Sequence, residues 1–130
     1  GYSIVGIALR QSSELTAVKV ARRVESQLNE GLIDEVRRLR AMGIPDSALP
    51  FGGMVYRQVL AFLNGVGTVE STRDDIIRAN RRYSRRQLIW FRKEPNLHWI
   101  QVDDGPVHAF RMAEQIVRDN VVARSESAVL

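Results

Sequence analysis

The sequence predicts an α/β fragment that is predominantly helical, with about five helices and two short strands. Apolar residues recur at i, i+3 and i+4 through several long stretches, as helices with one buried face require. Two short runs, Tyr2–Leu9 (YSIVGIAL) and Leu97–Val102 (LHWIQV), are apolar and partly β-branched, so they read as strands. Gly31, Gly43, Pro45, Gly65, Pro95 and Gly105 fall between these stretches, where glycine and proline stop elements rather than interrupt them.

Tyr2–Leu9 reads as a buried strand. A single buried strand at a terminus needs neighbours, which predicts further sequence before Gly1. Ser12 or Ser13 can cap a helix running to about Glu30, with Leu15, Val18, Ala21, Val24 and Leu28 as its apolar stripe. Beside that stripe Lys19 and Arg23 lie one turn apart, so both can reach a common anion. Gly31 is placed as a break or left-handed cap. A second helix, Leu32–Met42, carries Asp34 and Glu35 in its first turn and Arg37, Arg38 and Arg40 towards its end. That order complements the helix dipole, so these arginines read as structural.

Ser47–Gly53 is expected to be a loop. A short helix over Met54–Asn64 then offers Tyr56, Val59, Leu60 and Leu63 for packing. Thr68 caps the longest helix, Val69–Lys93, in which Ile76, Ile77, Tyr83, Leu88 and Phe91 supply apolar contacts. Asp103–Pro106 is a turn, and Val107 to about Val121 the last helix. Residues 1–122 are thus expected to form one domain and 123–130 a flexible tail.

A chain of 130 residues with 45 % hydrophobic and 26 % charged residues has the balance of a globular protein and not of a disordered one. No apolar run reaches the roughly 18 residues of a membrane span, so no membrane partner is expected. Without cysteine there is no disulfide framework, thiolate metal site or thiol nucleophile, and cytoplasmic residence is the expectation. The net charge is unevenly spread. Ile76–Lys93 holds Arg78, Arg81, Arg82, Arg85, Arg86, Arg92 and Lys93 and no acid. The whole chain carries +4, so this segment of +7 leaves −3 for everything else. Concentrated charge of that kind is the footprint of a phosphate-binding face, or of a solvated helix face.

Catalytic signatures are lacking within the chain. There is no G-x-x-x-x-G-K-[ST] loop, since Gly52-Gly53 is not followed by a basic residue at the required place. His98 and His108 have no companion at metal-ligand spacing and read as structural or exposed. Asp103-Asp104 precedes Gly-Pro and reads as turn chemistry. The chain offers groups that bind anions and no convincing general base.

Four motifs in order carry a resemblance. RRYSRRQLIWFR, Arg81–Arg92, resembles the long-helix signature of tRNA dimethylallyltransferases, with Arg85, Arg86, Gln87, Trp90 and Arg92 at the matching positions. YRQVLAFLNG, Tyr56–Gly65, resembles the family's Gly-Tyr-[Lys/Arg]-Gln/Glu helix. Val20–Leu39 is similar to its arginine-bearing helix followed by Gly-Leu-x-x-Glu-Val, and His98-Trp99-Ile100 to its next strand. The agreement runs from about Tyr2 to Val102. Val55, Ile89 and Gln27 depart from it, standing where the family has glycine, threonine and commonly methionine.

The resemblance implies that the two strands belong to a P-loop-type α/β core. It also implies an activity: transfer of a dimethylallyl group from dimethylallyl diphosphate to the exocyclic amine of an adenine next to the tRNA anticodon. The adenine must leave its stack to be reached. Arg23 would meet the substrate pyrophosphate, with Lys19 in place of a second arginine. Tyr56, Arg57, Arg78, Arg81, Arg82, Arg85 and Arg86 would contact the tRNA anticodon stem-loop. The P-loop, the catalytic aspartate and the Mg2+ that the resemblance implies for a complete enzyme belong to a missing N-terminal core of the same protein. No cofactor is expected on this chain alone, and alone it is expected to be inactive. Two other readings stay open: a non-catalytic helical RNA-binding module, and a plain helical domain with solvated arginines. At single positions, Arg23 can instead pair with Glu25 or Glu30, Tyr56 can be a core aromatic, and Trp90 is expected to pack.

Overall fold

The computed structural model describes residues 4–127, and among these residues there are five α-helices, one short 3-10 turn and a two-stranded parallel sheet. In order they are β1 (Gly6–Arg10), α1 (Ser13–Asn29), α2 (Leu32–Ala41), the 3-10 turn Leu49–Gly52, α3 (Tyr56–Leu63), α4 (Val69–Phe91), β2 (Leu97–Gln101) and α5 (Pro106–Ser127). The predominantly helical α/β class expected from periodicity is the one observed. The described residues divide into two compact units, one of residues 4–15 with 88–127 and the other Thr16–Gln87.

In the first unit β1 and β2 pair in parallel, with Gly6 opposite Leu97 and Arg10 opposite Gln101. A Cβ at Gly6 would stand 2.9 Å from Leu97 Cδ2, so a larger residue there would have to displace that side chain. Ile100 is buried and α5 packs on β2. Two backbone amides close the top of the sheet. Val102 N–H donates to Arg10 O (2.9 Å), and Ser12 N–H donates to Asp103 Oδ1 (2.9 Å). The turn itself is closed by Gly105 N–H donating to Val102 O (3.1 Å), whereas the Asp103 carboxylate reaches back to Ser12, 91 positions earlier. The first strand differs from its expected form. It starts at Gly6, Tyr2 and Ser3 lie outside the described residues, and it is half-buried to exposed. Leu9 is 63 % exposed, because a strand with one hydrogen-bonded neighbour covers little of itself. The last helix continues to Ser127 instead of stopping near Val121, and Ala128–Leu130 lie outside the described residues.

The second unit has the larger core. Val20 and Val24 of α1, Leu32 and Val36 of α2, Phe51, Val59 and Leu60 of α3, and Ile76 of α4 form one buried cluster. Full burial of a side chain of this size contributes about 1.5–3 kcal/mol. Local chemistry sets the helix ends. Ser12 Oγ accepts from Leu15 N–H (3.3 Å), so Ser12 is the α1 cap. Thr68 Oγ1 accepts from Ser71 N–H (3.1 Å) while Ser71 Oγ accepts from Thr68 N–H (2.8 Å), a reciprocal cap on α4. Gly31 sits at φ 98°, the left-handed region expected of it.

Two expectations fail along the 3-10 turn and α4. Ser47–Gly53 contains a 3-10 turn whose Pro50 pre-sets the backbone, and the turn drives Phe51 into the core. On α4 only the first half is packed, through Thr72, Ile76, Ala79 and Asn80. Tyr83 and Phe91, expected to make apolar contacts, are exposed, since the buried stripe of the helix stops at Asn80. The helix also ends at Phe91, with Arg92 and Lys93 in the following turns.

Candidate nucleic-acid and phosphate interface

The expected arginines fall on one continuous flank of α4. Residues three and four apart are surface neighbours on a helix, so Arg78–Arg81–Arg82–Arg85–Arg86 form an unbroken ladder. With about 100° per residue, Arg78, Arg81, Arg82 and Arg85 point roughly opposite Ile76, away from the core. Arg86 stands one turn beyond Arg82, at the side of that face. Arg81, Arg82, Arg85 and Arg86 are all exposed and have no hydrogen-bonding or ionic partner among the described residues. Arg78 differs: it pairs with Asp75 one turn earlier.

Two of the three α2 arginines behave oppositely. Arg37 pairs with Asp34, and Arg40 meets Asp46 at 2.9 Å. Carboxylates thus meet two of the three arginines of α2, while Arg38 is exposed without a side-chain partner among the described residues, as are four arginines of α4.

Lys19 and Arg23 occupy exposed positions one turn apart on α1. Arg23 pairs with neither Glu25 nor Glu30. Glu25 instead lies 3.7 Å from Arg73, and Ser26 Oγ donates to Glu30 (2.6 Å). Arg23 Nη2 donates to Asn80 Oδ1 at 2.5 Å, which sets its guanidinium against α4, at the residue next to Arg81. Asn80 is 7 % exposed, and its own amide donates to Ile76 O (2.9 Å). The reading of single residues missed Asn80. Its signal is a polar amide on the buried stripe of a helix, where asparagine is otherwise disfavoured.

Tyr56 is only partly available. Its ring lies 6.0 Å from Phe51, and its hydroxyl donates to Glu35 at 2.6 Å. That hydrogen bond, then desolvation and the Glu35 charge, raise its pKa above the ordinary tyrosine value. Arg57, next along α3, is exposed and without a side-chain partner among the described residues. Trp90, expected to pack, is 60 % exposed with its ring edge-on to Phe91. His98 and His108 are exposed.

Among the described residues no group of three or more His, Asp or Glu side chains can hold a metal ion. The magnesium that the resemblance implies is expected on the part of a complete enzyme outside this chain. No described helix is long and apolar enough to cross a membrane.

Comparison with known proteins adds the following. A family model for IPP transferase matches residues 1–94. The tRNA dimethylallyltransferase of Alkaliphilus oremlandii is 30% identical over 118 residues, which are 91% of this chain and 37% of that protein. The tRNA dimethylallyltransferase of Streptomyces avermitilis is 42% identical over 99 residues, 76% of this chain and 32% of its own length. The crystal structure of the full-length tRNA isopentenylpyrophosphate transferase from Bacillus halodurans superposes with a TM-score of 0.77 at 29% identity, covering 95% of this chain and 42% of that one. The chain spans about a third of the length of the curated relatives it matches.

Proposed function

The chain belongs to the IPP transferase family, and from that premise we propose that it is the tRNA-gripping and pyrophosphate-contacting part of a tRNA dimethylallyltransferase. The observation that carries the reading is the bare arginine ladder of α4. Arg81, Arg82, Arg85 and Arg86 are exposed and lack carboxylate partners among the described residues. Cationic side chains spaced along a helix meet successive phosphates, giving affinity and orientation without reading sequence. Arg57 adds a further exposed cation, and Tyr56 contributes through its ring edge while Glu35 holds its hydroxyl.

On this reading the substrates are dimethylallyl diphosphate and an adenine beside the anticodon. The exocyclic nitrogen forms a bond to the allylic carbon as the carbon–oxygen bond to the diphosphate breaks. The electron pair leaves on pyrophosphate, and the amine proton passes to a base outside these 130 residues. Arg23, with Lys19 one turn earlier, stabilises the charge growing on the leaving group. Stabilisation that increases towards the transition state accelerates the reaction; uniform binding does not. The two strands are read as part of a P-loop-type α/β core, residues 1–122 as part of one transferase domain with 123–130 as its tail, and the place of action as the cytoplasm, with tRNA.

The test is the salt dependence of binding to an anticodon stem-loop. Log affinity is expected to fall linearly with log salt, by about 0.7–0.9 for each phosphate neutralised. Absence of binding, or a slope near zero, removes the phosphate-gripping face and with it this function.

A further inference from the structure

We propose that Asn80 is a positioning residue for Arg23, a buried neutral amide that presents the guanidinium to a diphosphate without cancelling its charge. The inference rests on the reading of Arg23 as a pyrophosphate contact and extends it to a residue on another helix.

The orientation of Asn80 follows from its surroundings. Its Nδ2 donates to Ile76 O at 2.9 Å, inside α4, and this leaves Oδ1 directed at Arg23 Nη2, 2.5 Å away. A flipped amide would set Oδ1 against the Ile76 carbonyl and the NH2 against a guanidinium, two repulsive contacts in place of two bonds. At 7 % exposure, neither group can turn to water instead. One amide thus spans from the backbone of α4 to a side chain of α1 in a single arrangement.

The acceptor is unusual within this protein. Every other arginine with a side-chain partner among the described residues meets a carboxylate: Arg37 with Asp34, Arg40 with Asp46, Arg73 with Glu25 and Asp74, Arg78 with Asp75, and Arg118 with Glu114. A carboxylate fixes an arginine and also neutralises it. An amide oxygen fixes it and leaves the full positive charge for a second anion. Guanidinium has five N–H groups, and Asn80 occupies one, so the remainder keeps a fork for phosphate oxygens. The nearest acid along α1, Glu25, is engaged by Arg73. The two helices hold Arg23 still, charged and unneutralised, as a group poised for a leaving diphosphate requires.

The experiment titrates the chain with inorganic pyrophosphate by calorimetry, and follows the Arg23 side chain by its Nε–H relaxation in NMR. Wild type is compared with Arg23→Ala, Asn80→Ala and Asn80→Asp, with helix content checked by circular dichroism. Alanine is the best helix former, so Asn80→Ala keeps α4 intact even if the buried aspartate variant does not fold. Asn80→Ala is expected to weaken pyrophosphate binding about tenfold and to free the Arg23 side chain. Asn80→Asp loses the bond to Ile76 O but is expected to keep Arg23 ordered through the ion pair, more than Asn80→Ala does. It is nevertheless expected to bind pyrophosphate more weakly than Asn80→Ala, because it restores a tether and cancels the charge. A purely structural role for Asn80 would not produce that opposite order of side-chain order and affinity. If Arg23→Ala abolishes binding while both Asn80 variants bind like wild type, the positioning role is overturned and the pyrophosphate reading stands. Absence of binding by wild type, or no loss in Arg23→Ala, overturns the pyrophosphate reading itself.

Discussion

Tyr56, the first residue of α3, donates its hydroxyl to Glu35 of α2 at 2.6 Å while its ring stacks at a tilt against Phe51, 6.0 Å away. One side chain thereby joins the 3-10 turn, α2 and α3. Removing the hydroxyl in Tyr56→Phe keeps the ring contact and loses one hydrogen bond to a charged group. The expected cost is about 1–2 kcal/mol, read as a lower urea midpoint with an unchanged slope. A pair this close to solvent sits at the low end of that range.

The same bond predicts a pH dependence. Glu35 accepts from the protonated phenol, so the ionisation of Tyr56 is pushed above its ordinary value of 10.0. The stability contributed by the bond is fully present below that ordinary value and is lost as pH rises through the raised one. The difference in urea midpoint between wild type and Tyr56→Phe should therefore be constant near neutrality and close at alkaline pH. A gap that instead widened with pH would contradict the donor assignment.

Phe51 tests the core. It is 2 % exposed, and Phe51→Ala is expected to cost about 3–5 kcal/mol through lost burial and the cavity left behind. A thermal melt monitored at the helix signal reads it directly.

Two glycines before α4 should respond differently to alanine. Gly65 lies at φ 86° with no heavy atom near a prospective Cβ, so Gly65→Ala costs the backbone conformation alone, about 1–2 kcal/mol. Gly67 lies at φ 76°, and a Cβ there would sit 2.5 Å from Ser71 Oγ. Ser71 must then give up its bond to Thr68 N–H, which adds the loss of a cap, about 0.5–2 kcal/mol. Gly67→Ala should be the less stable variant in a side-by-side denaturation.

On the RNA side, Arg81→Glu combined with Arg85→Glu should reduce affinity for an anticodon stem-loop about tenfold or more and lower the salt slope by about two, with helix content preserved. Arg37→Ala provides the contrast. Arg37 is already matched by Asp34, so its loss should leave binding unchanged.

Much of this molecule is legible without coordinates wherever short-range chemistry decides. Ser12, Thr68 and Gly31 mark helix ends because capping and left-handed backbone are properties of a few adjacent residues. The arginine flank of α4 follows from spacing alone. What escapes is decided by neighbours distant in the chain. Tyr83 and Phe91 continue an apolar helical pattern but remain exposed, since periodicity identifies a face without saying what covers it. Phe51 lies in a segment whose glycines and prolines suggest a loop, and its burial depends on the core of α1, α2 and α3. Asn80 is a similar case. Its partner Arg23 is 57 positions away, and no local rule joins them.

The parallel pairing of β1 with β2 bears on the order of folding. Ser12 and Asp103, at the top of that sheet, are 91 positions apart, so their contact must close a long loop. Such closure carries an entropic cost that local helices do not face. Helices of the Thr16–Gln87 unit can gain their core contacts over much shorter separations. In refolding, the far-ultraviolet helix signal should therefore rise before the fluorescence of Trp99 on β2 reaches its native value. Strand pairing is then the late step, because its long loop closes only after the helices have made their shorter-range contacts.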